Sequence, residues 1–437
     1  MISKFKLVAA LLIGVIAIAF AASAITPRAT LAQGPSSSYY LPFIGVAPTP
    51  RIVDEATQRI SVPPGFHIHI FAQNLNTPRF MAFGPDGALY ISLLNTGQIA
   101  RLPDANQNEV ADTTQIAASG LSSPHGVEWH HDGTYDWLYV AEQDKVERLR
   151  DSDNNGTLDI KQLVTNNIPC CGGHGTRTVH FGPDGKMYVS AGSSCNYCAE
   201  TDPRRAAILR FNADGTIPAD NPFVSDSDTR KQAVWAWGLR NSVDFLFTPS
   251  GELWADHNGS DGLGDDVPPE EIVINVQGNK SHGWPYCYTP VLGANPVPQT
   301  AEVRDTRMAL PPGFDCTQAV PALLTDLAHS APLGMSLASG TNFPASYRSD
   351  LYVAYHGSWN TNVVANYRDC KVQRIVVASG QPVSSQTFAT GWRASGAKCG
   401  DASTWGRPAD VIFGSDGKMY VSDDKGGRVY IVSYIGP

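Results

Sequence analysis

Apolar and polar residues alternate with period two over short runs along this chain, and few segments carry a helical repeat over any length. One phrase recurs: "FGPDGALYIS" (83–92), "HHDGTYDWLYVA" (130–141), "FGPDGKMYVS" (181–190), "FTPSGELWAD" (247–256), "YRSDLYVAY" (347–355) and "FGSDGKMYVS" (413–422). In each, a strand ends in a Gly/Asp/Pro turn and a second alternating strand follows. Six such hairpins, about one per 65 residues, predict an all-β fold, a six-bladed β-propeller with loop insertions on its top face. The widest gap holds a Pro-rich insertion, 277–332, and the propeller domain is expected over 59–437.

The innermost strand of each blade lines a central channel, so the residues just before each hairpin matter most. They read "TPRFMAF", "SPHGVEW", "GGHGTRTVHF", "GLRNSVDFLF", "HSAPLGMSL" and "GRPADVIF". Arg79, His125, His174, Arg240 with Asn241, His329 and Arg407 are thereby expected at one end of the channel. A single such residue is usually solvated or structurally paired. A ring of them in a chain of net charge −9 predicts a small anionic ligand.

That net charge, without a long Lys/Arg run, excludes a nucleic-acid partner. The N-terminus reads as a signal peptide over 1–32: Lys4 and Lys6 precede "LVAALLIGVIAIAFAASA", and small residues near Ala32 offer a cleavage site. An uncleaved anchor is the rival, since the run is close to spanning length. Residues 33–58 read as a Pro/Ser-rich linker, and no second membrane span follows, so a secreted or extracytoplasmic protein with no stable span after cleavage is expected. Eight cysteines in an exported chain point to disulfides, with zinc as the alternative for the four that lie close together.

The ordered pieces "GGHGTRTVHFGPDGKMYVSAG", "DPRRAAILRFNADGTIPADNPF", "AWGLRNSVDFLF", "NGSDGLGDDVPPEEI", "GNKSHGWPYC" and "GRPADVIFGSDGKMYVSDD" carry a resemblance. From residue 60 to 434 the chain resembles the soluble glucose/sorbosone dehydrogenases that use pyrroloquinoline quinone (PQQ). "LGDD.PP.E" and "HGSWN" resemble the sorbosone-type branch. The resemblance implies a quinoprotein oxidising the C1 hydroxyl, or hydrated aldehyde, of an aldose by hydride transfer to Ca²⁺-bound PQQ. An external electron acceptor, a quinone or small redox protein, then reoxidises the cofactor.

The same resemblance assigns roles. His174 stands at the general base, a role suited to imidazole. Arg240 and Asn241 match the pair that contacts the quinone oxygens, where negative charge builds. Arg407 matches an arginine for a PQQ carboxylate, and His125 falls where relatives often carry a glutamine near the substrate. "HNGSDGLGDDVPPEE" (257–271) resembles the Ca²⁺-holding loop, with the carbonyls of Gly259 and Ser260 as ligands. Its acids Asp261, Asp265, Asp266, Glu270 and Glu271 are hard oxygen donors of the kind Ca²⁺ takes. A solvated acidic loop is the bland reading. Glucose-type members carry a lysine in blade five and a second arginine in blade six; here stand "AYHGSWNTN" and Ala409, so His356, Trp359 or Asn360 is expected to substitute.

A metal-dependent lactonase-type propeller and a non-catalytic binding propeller are the competing functions. The lactonase type holds its metal with carboxylates, whereas Arg and His dominate this channel end.

In blade three, a turn at Gly182–Gly185 sets Phe181 opposite Lys186. Extended outward, that register sets Cys170 opposite Tyr197 and Cys171 opposite Asn196. Two cross-links between Cys170/Cys171 and Cys195/Cys198 are therefore expected, their connectivity open. The alternative bond between Cys170 and Cys171 spans Cα atoms about 3.8 Å apart, below the usual window of about 4.4 Å upward. Cys287 with Cys316, and Cys370 with Cys399, pair by proximity.

Overall fold

The computed structural model describes residues 51–290, 301–340, 342–358 and 360–436. The expected signal peptide, the linker to residue 50 and Trp359 lie outside the described residues. Six four-stranded antiparallel sheets are arranged as the six expected blades. Blade one is Pro78–Phe83, Leu89–Leu93, Gln98–Leu102 and Gln115–Ala118. Blade two is Val127–His131, Asp136–Ala141, Val146–Arg150 and Ile160–Thr165. Blade three is Val179–Phe181, Met187–Ala191, Ala207–Phe211 and Val234–Trp237. Blade four is Phe245–Phe247, Leu253–His257, Glu270–Asn275 and Leu324–Asp326. Blade five is Pro332–Leu337, Leu351–Tyr355, Lys371–Ala378 and Gln381–Thr390.

Blade six takes three strands from the C-terminus (Pro408–Phe413, Met419–Asp423, Arg428–Tyr434) and its outermost from the N-terminus, Phe66–Gln73. Phe66 pairs with Tyr434 and Gln73 with Arg428. This closure ties the two ends together and covers the edge that an open last blade would expose. The compact unit accordingly begins at Ile52, earlier than the boundary expected at 59, and includes a short helix, Glu55–Arg59, capped by Asp54.

The hairpin phrase is explained by its turn. Asp184 accepts from the Lys186 amide (3.0 Å) and the Tyr188 hydroxyl (3.0 Å), while Gly185 takes φ +69°, which favours glycine. The strands that follow are buried along their whole length, as in Leu89–Leu93 and Met187–Ala191. Both faces of a blade meet a neighbouring blade, so the alternation sorts residues between two cores. Tyr188 packs toward blade four, with Phe245 and Leu253, whereas Met187 and Val189 pack toward blade two, with Tyr139 and Val146. Large-to-small changes here would cost about 2–5 kcal/mol each.

Carboxylates knit neighbouring blades together near the channel. Glu128 accepts from the Phe181 amide (3.2 Å), Asp244 from Met335 (2.8 Å) and Asp410 from Met81 (2.9 Å). His180 bridges Glu128 (2.6 Å) and Asp244 (2.9 Å). Burial opposes its charge, but the hydrogen bonds to Asp244 and Glu128 outweigh burial and raise its pKa from 6.5 to about 10. A raised pKa stabilises the fold fully below pH 6.5, and that contribution is lost as pH rises through 10. The unfolding free energy contributed by this group, and with it the melting temperature, is therefore expected to fall between pH 7 and 10, the free energy by at most about 1.4 kcal/mol per pH unit. A calorimetric pH series on His180→Gln should show a flatter decline; an unchanged slope would remove His180 from this role.

Two expectations in blade three are corrected. Phe181 pairs with Met187, one step from the expected Lys186. The expected cross-links do not form: Cys170 bonds Cys171, and Cys195 bonds Cys198. Strand pairing runs out at Gly173–Ser194, where the amide of Gly173 donates to the Ser194 carbonyl (3.0 Å). Beyond it Glu200 takes the Ser194 amide (2.5 Å) and hydroxyl (2.8 Å), closing 194–200 into a turn of its own in place of further pairing. Cys287–Cys316 and Cys370–Cys399 form as expected, the first within residues 276–323, the part of the expected 277–332 insertion that lies between the third and fourth strands of blade four; the remainder holds that fourth strand and the turn into blade five.

Candidate active site

The six expected polar positions stand at or just before the start of the inner strands, and two hydrogen-bonded clusters gather them. The first is centred on Asp424, which the sequence reading did not single out. Its carboxylate accepts from Arg79 Nη1 (2.6 Å) and His356 Nε2 (2.9 Å), and Arg79 Nη2 reaches His125 Nε2 (3.1 Å). Arg407 donates through Nε to the His356 carbonyl (2.9 Å) and through Nη2 to that of Gly357 (3.3 Å). Asp424 bridges the blade-one arginine to the blade-five histidine, so part of the ring's positive charge is already neutralised.

Burial, then the Arg407 charge, lowers the His356 pKa to about 4 despite Asp424. Burial and the Arg79 charge push His125 well below its ordinary value. Both imidazoles are thus neutral donors or acceptors rather than cations. Arg407, half-buried, falls to about 10 mainly through burial. Among the described residues no acceptor reaches its Nη1. An under-neutralised guanidinium of this kind suits a carboxylate ligand.

The second cluster surrounds Arg240, which is 5% exposed. Its Nε and Nη2 grip the carbonyl and side-chain oxygen of Asn196 (2.9 Å each), Nη1 donates to the Asn258 carbonyl (3.1 Å), and Nη2 reaches Asp261 (3.3 Å). One of its five N–H groups remains open. A buried relay holds the backbone beneath it: Glu271 accepts from His257 Nδ1 (3.0 Å), and His257 Nε2 accepts from the Arg240 amide (3.0 Å). Asp261 also takes Asn360 Nδ2 and lies 3.4 Å from His329 Nδ1.

His174 sits beside this cluster. Its Nδ1 lies 2.9 Å from Ser193 Oγ and 3.1 Å from the Ser193 carbonyl. Ser193 Oγ gives its own proton to the Cys195 carbonyl (2.6 Å), so it can only accept from Nδ1. The proton is thereby fixed on Nδ1, and Nε2 keeps its lone pair. Burial, then the Arg240 charge, lowers the pKa to about 4, so the ring is neutral above that. Arg177, 1% exposed, holds the loop from below through the carbonyls of Pro169 (2.6 Å), His174 (2.8 Å) and Thr176 (2.7 Å). A Cβ added to Gly192 would lie 2.5 Å from His174 Cβ and 2.9 Å from Asn241 Oδ1. A glycine there is what lets His174 and Asn241 converge.

The acidic loop is largely occupied by the protein itself. Glu270 accepts from the amides of Gly259 (2.7 Å) and Ala331 (3.2 Å), Asp266 pairs with Arg368 (2.7 Å), and Asp265 binds the amides of Asn362 and Val363. Ser260 Oγ accepts from Arg307 Nη2 (2.6 Å). Among the described residues no donor reaches the carbonyls of Gly259 or Ser260. Those two oxygens fit the backbone ligands expected for Ca²⁺, whereas the Asp261 carboxylate is taken up by Arg240, His329 and Asn360.

Residues the sequence reading missed share a place: Ser193, Asn196 and Asp424 follow the second strand of a blade. An antiparallel return brings that point back to the end where the inner strand begins, a signal available from the hairpin phrases.

An uncharacterized protein of Borreliella burgdorferi is 28% identical over 396 residues, covering 87% of this chain and 92% of that protein. A pyrroloquinoline quinone-dependent pyranose dehydrogenase of Coprinopsis cinerea is 26% identical over 428 residues, 88% of this chain; the match spans 55% of that enzyme's length. The calcium structure of Trichoderma reesei Carbohydrate-Active Enzymes Family AA12 superposes with a TM-score of 0.69 at 19% identity, covering 87% of this chain and 98% of that one, and shares the fold. The TrAA12-like family matches residues 60–435, and the chain belongs to that family of propellers, homologous to PQQ-dependent sugar dehydrogenases.

Proposed function

We propose that this protein is a quinoprotein sugar dehydrogenase that oxidises the C1 hydroxyl, or hydrated aldehyde, of an aldose, with His174 as general base. Bound PQQ would supply the two-electron hydride acceptor, and Ca²⁺ on the carbonyls of Gly259 and Ser260 would polarise it. Arg407 would hold a cofactor carboxylate, with His125 and His356 as neutral partners along the same wall. Arg240 and Asn241 would face the oxygen on which negative charge grows, Arg240 through its open N–H.

The sugar's C1 hydroxyl would donate its proton to His174 Nε2 as the C1 hydride departs, leaving a C1 carbonyl, the lactone in the case of a cyclic aldose. The observation that carries this reading is the fixed tautomer of His174, whose Ser193 bond leaves Nε2 bare beside buried Arg240. Four disulfides and no free cysteine support an extracytoplasmic setting, where a quinone or small redox protein would take the electrons.

Dye reduction by the purified protein with a panel of aldoses, with and without PQQ and Ca²⁺, tests the proposal. A rate that requires PQQ is expected, rising with pH through about 4 to a plateau as His174 loses its proton. No PQQ-dependent rate with any aldose, and no PQQ binding by absorbance, would overturn it.

A further inference from the structure

A cavity of about 460 Å³ lies between blade three and the blade-four insertion. Its walls carry Phe223, Trp237, Trp284, Tyr286 and Phe314, stiffened by prolines at 203, 285 and 311. Glu200, Arg205 and Lys231 add both signs of charge to the same lining. We propose that this cavity is a subsite for a pyranose ring, holding the sugar unit next to the one oxidised; this rests on the sugar-dehydrogenase reading above.

Three observations support that occupant. A pyranose has apolar C–H faces that stack on aromatic rings, and hydroxyls that both donate and accept. An anion would be opposed by Glu200 and a cation by Arg205, while Lys231 is already paired with Asp226 (3.0 Å). The volume also falls in the range of small-ligand pockets, about 300–1,000 Å³.

The third is position. Arg205 Nη2 donates to the Cys170 carbonyl on the loop that carries His174, and Glu200 fastens Ser194, whose carbonyl takes the amide of Gly173 beside His174 (3.0 Å). Trp284 Nε1 donates to the Asn196 carbonyl (3.2 Å), the same oxygen that Arg240 Nε grips. The cavity wall is thus one hydrogen-bonded residue removed from Arg240 and from the His174 loop.

Calorimetric titration of the disulfide-intact protein with glucose, maltose and cellobiose tests this without turnover. At least one disaccharide is expected to bind about tenfold more tightly than glucose, the scale of one added aromatic contact. Phe314→Ala and Phe223→Ala, each checked by circular dichroism, should reduce disaccharide affinity to that of glucose and leave glucose binding unchanged. Should both variants unfold, Lys231→Ala is expected to reduce the preference in the same way.

Equal binding of all three sugars to the wild type, or a preference untouched in these variants, would overturn the subsite. So would a second, independent glucose site lost in Phe314→Ala. A disaccharide preference without PQQ-dependent oxidation would keep the sugar site and sink the dehydrogenase reading; oxidation without the preference would do the reverse.

Discussion

Replacing His174 with Ala is expected to lower kcat for the proposed PQQ-dependent sugar oxidation by about 10²–10⁴-fold, the contribution of a positioned general base. PQQ binding should survive, because no cofactor contact is assigned to this imidazole and its loop is held independently by Arg177 and Arg205. His174→Gln should fall as far, since an amide cannot take the C1 proton. Ser193→Ala leaves Nδ1 with the Ser193 carbonyl alone, at 3.1 Å, and should lose less. Stopped-flow reduction of the PQQ-loaded enzyme measures the step directly. Full activity in His174→Ala would remove the base from this site, whatever the enzyme's substrate.

Replacing Asp424 with Ala should destabilise the fold by about 3–5 kcal/mol, the scale for breaking a buried ion pair from one side. Arg79 and Asp424 side chains are only 9% and 12% exposed, so solvent screens the pair little. The change leaves the Arg79 guanidinium buried, facing His125, and strips His356 of its partner. Burial resists the charge on Asp424, but His356 and Arg79 hold its carboxyl well below the usual range. Its contribution is therefore full above pH 3.8 and is lost as pH falls below that. Denaturant titration at pH 7 measures the loss, and a cost under about 1 kcal/mol would place the pair in the class of exposed ion pairs. Arg79→Leu combined with Asp424→Leu should cost less than Asp424→Ala, since no charge is then left unpaired.

The repeat was readable because a propeller imposes the same local demand six times. Each hairpin needs a turn that tolerates a left-handed residue and two strands whose side chains reach neighbouring blades. "FGPDGKMYVS" states that demand within ten residues. Positions preceding each inner strand are likewise assigned to the channel end by the repeat, and these are Arg79, His125, His174, Arg240, His329 and Arg407.

What local sequence does not carry is which group meets which. The partnership of Asp424 with Arg79 crosses 345 positions and exists because the ring closes blade six against blade one. The closing strand Phe66–Gln73 shows no mark of its partner at the other terminus. Cysteine pairing in blade three failed for the same kind of reason. Register extrapolation assumes continued pairing, whereas the backbone bonds stop at Gly173–Ser194, short of the cysteines, and Ser194 turns to Glu200 instead. Sequence by itself determined the blade count, the channel-end positions and the residue type of the expected base. Only the tertiary structure decided the charge balance of the channel, the tautomer of His174 and the two open carbonyls at 259 and 260. Those properties depend on distances of about 3 Å between groups far apart in the chain, within which hydrogen bonds act and beyond which they do not.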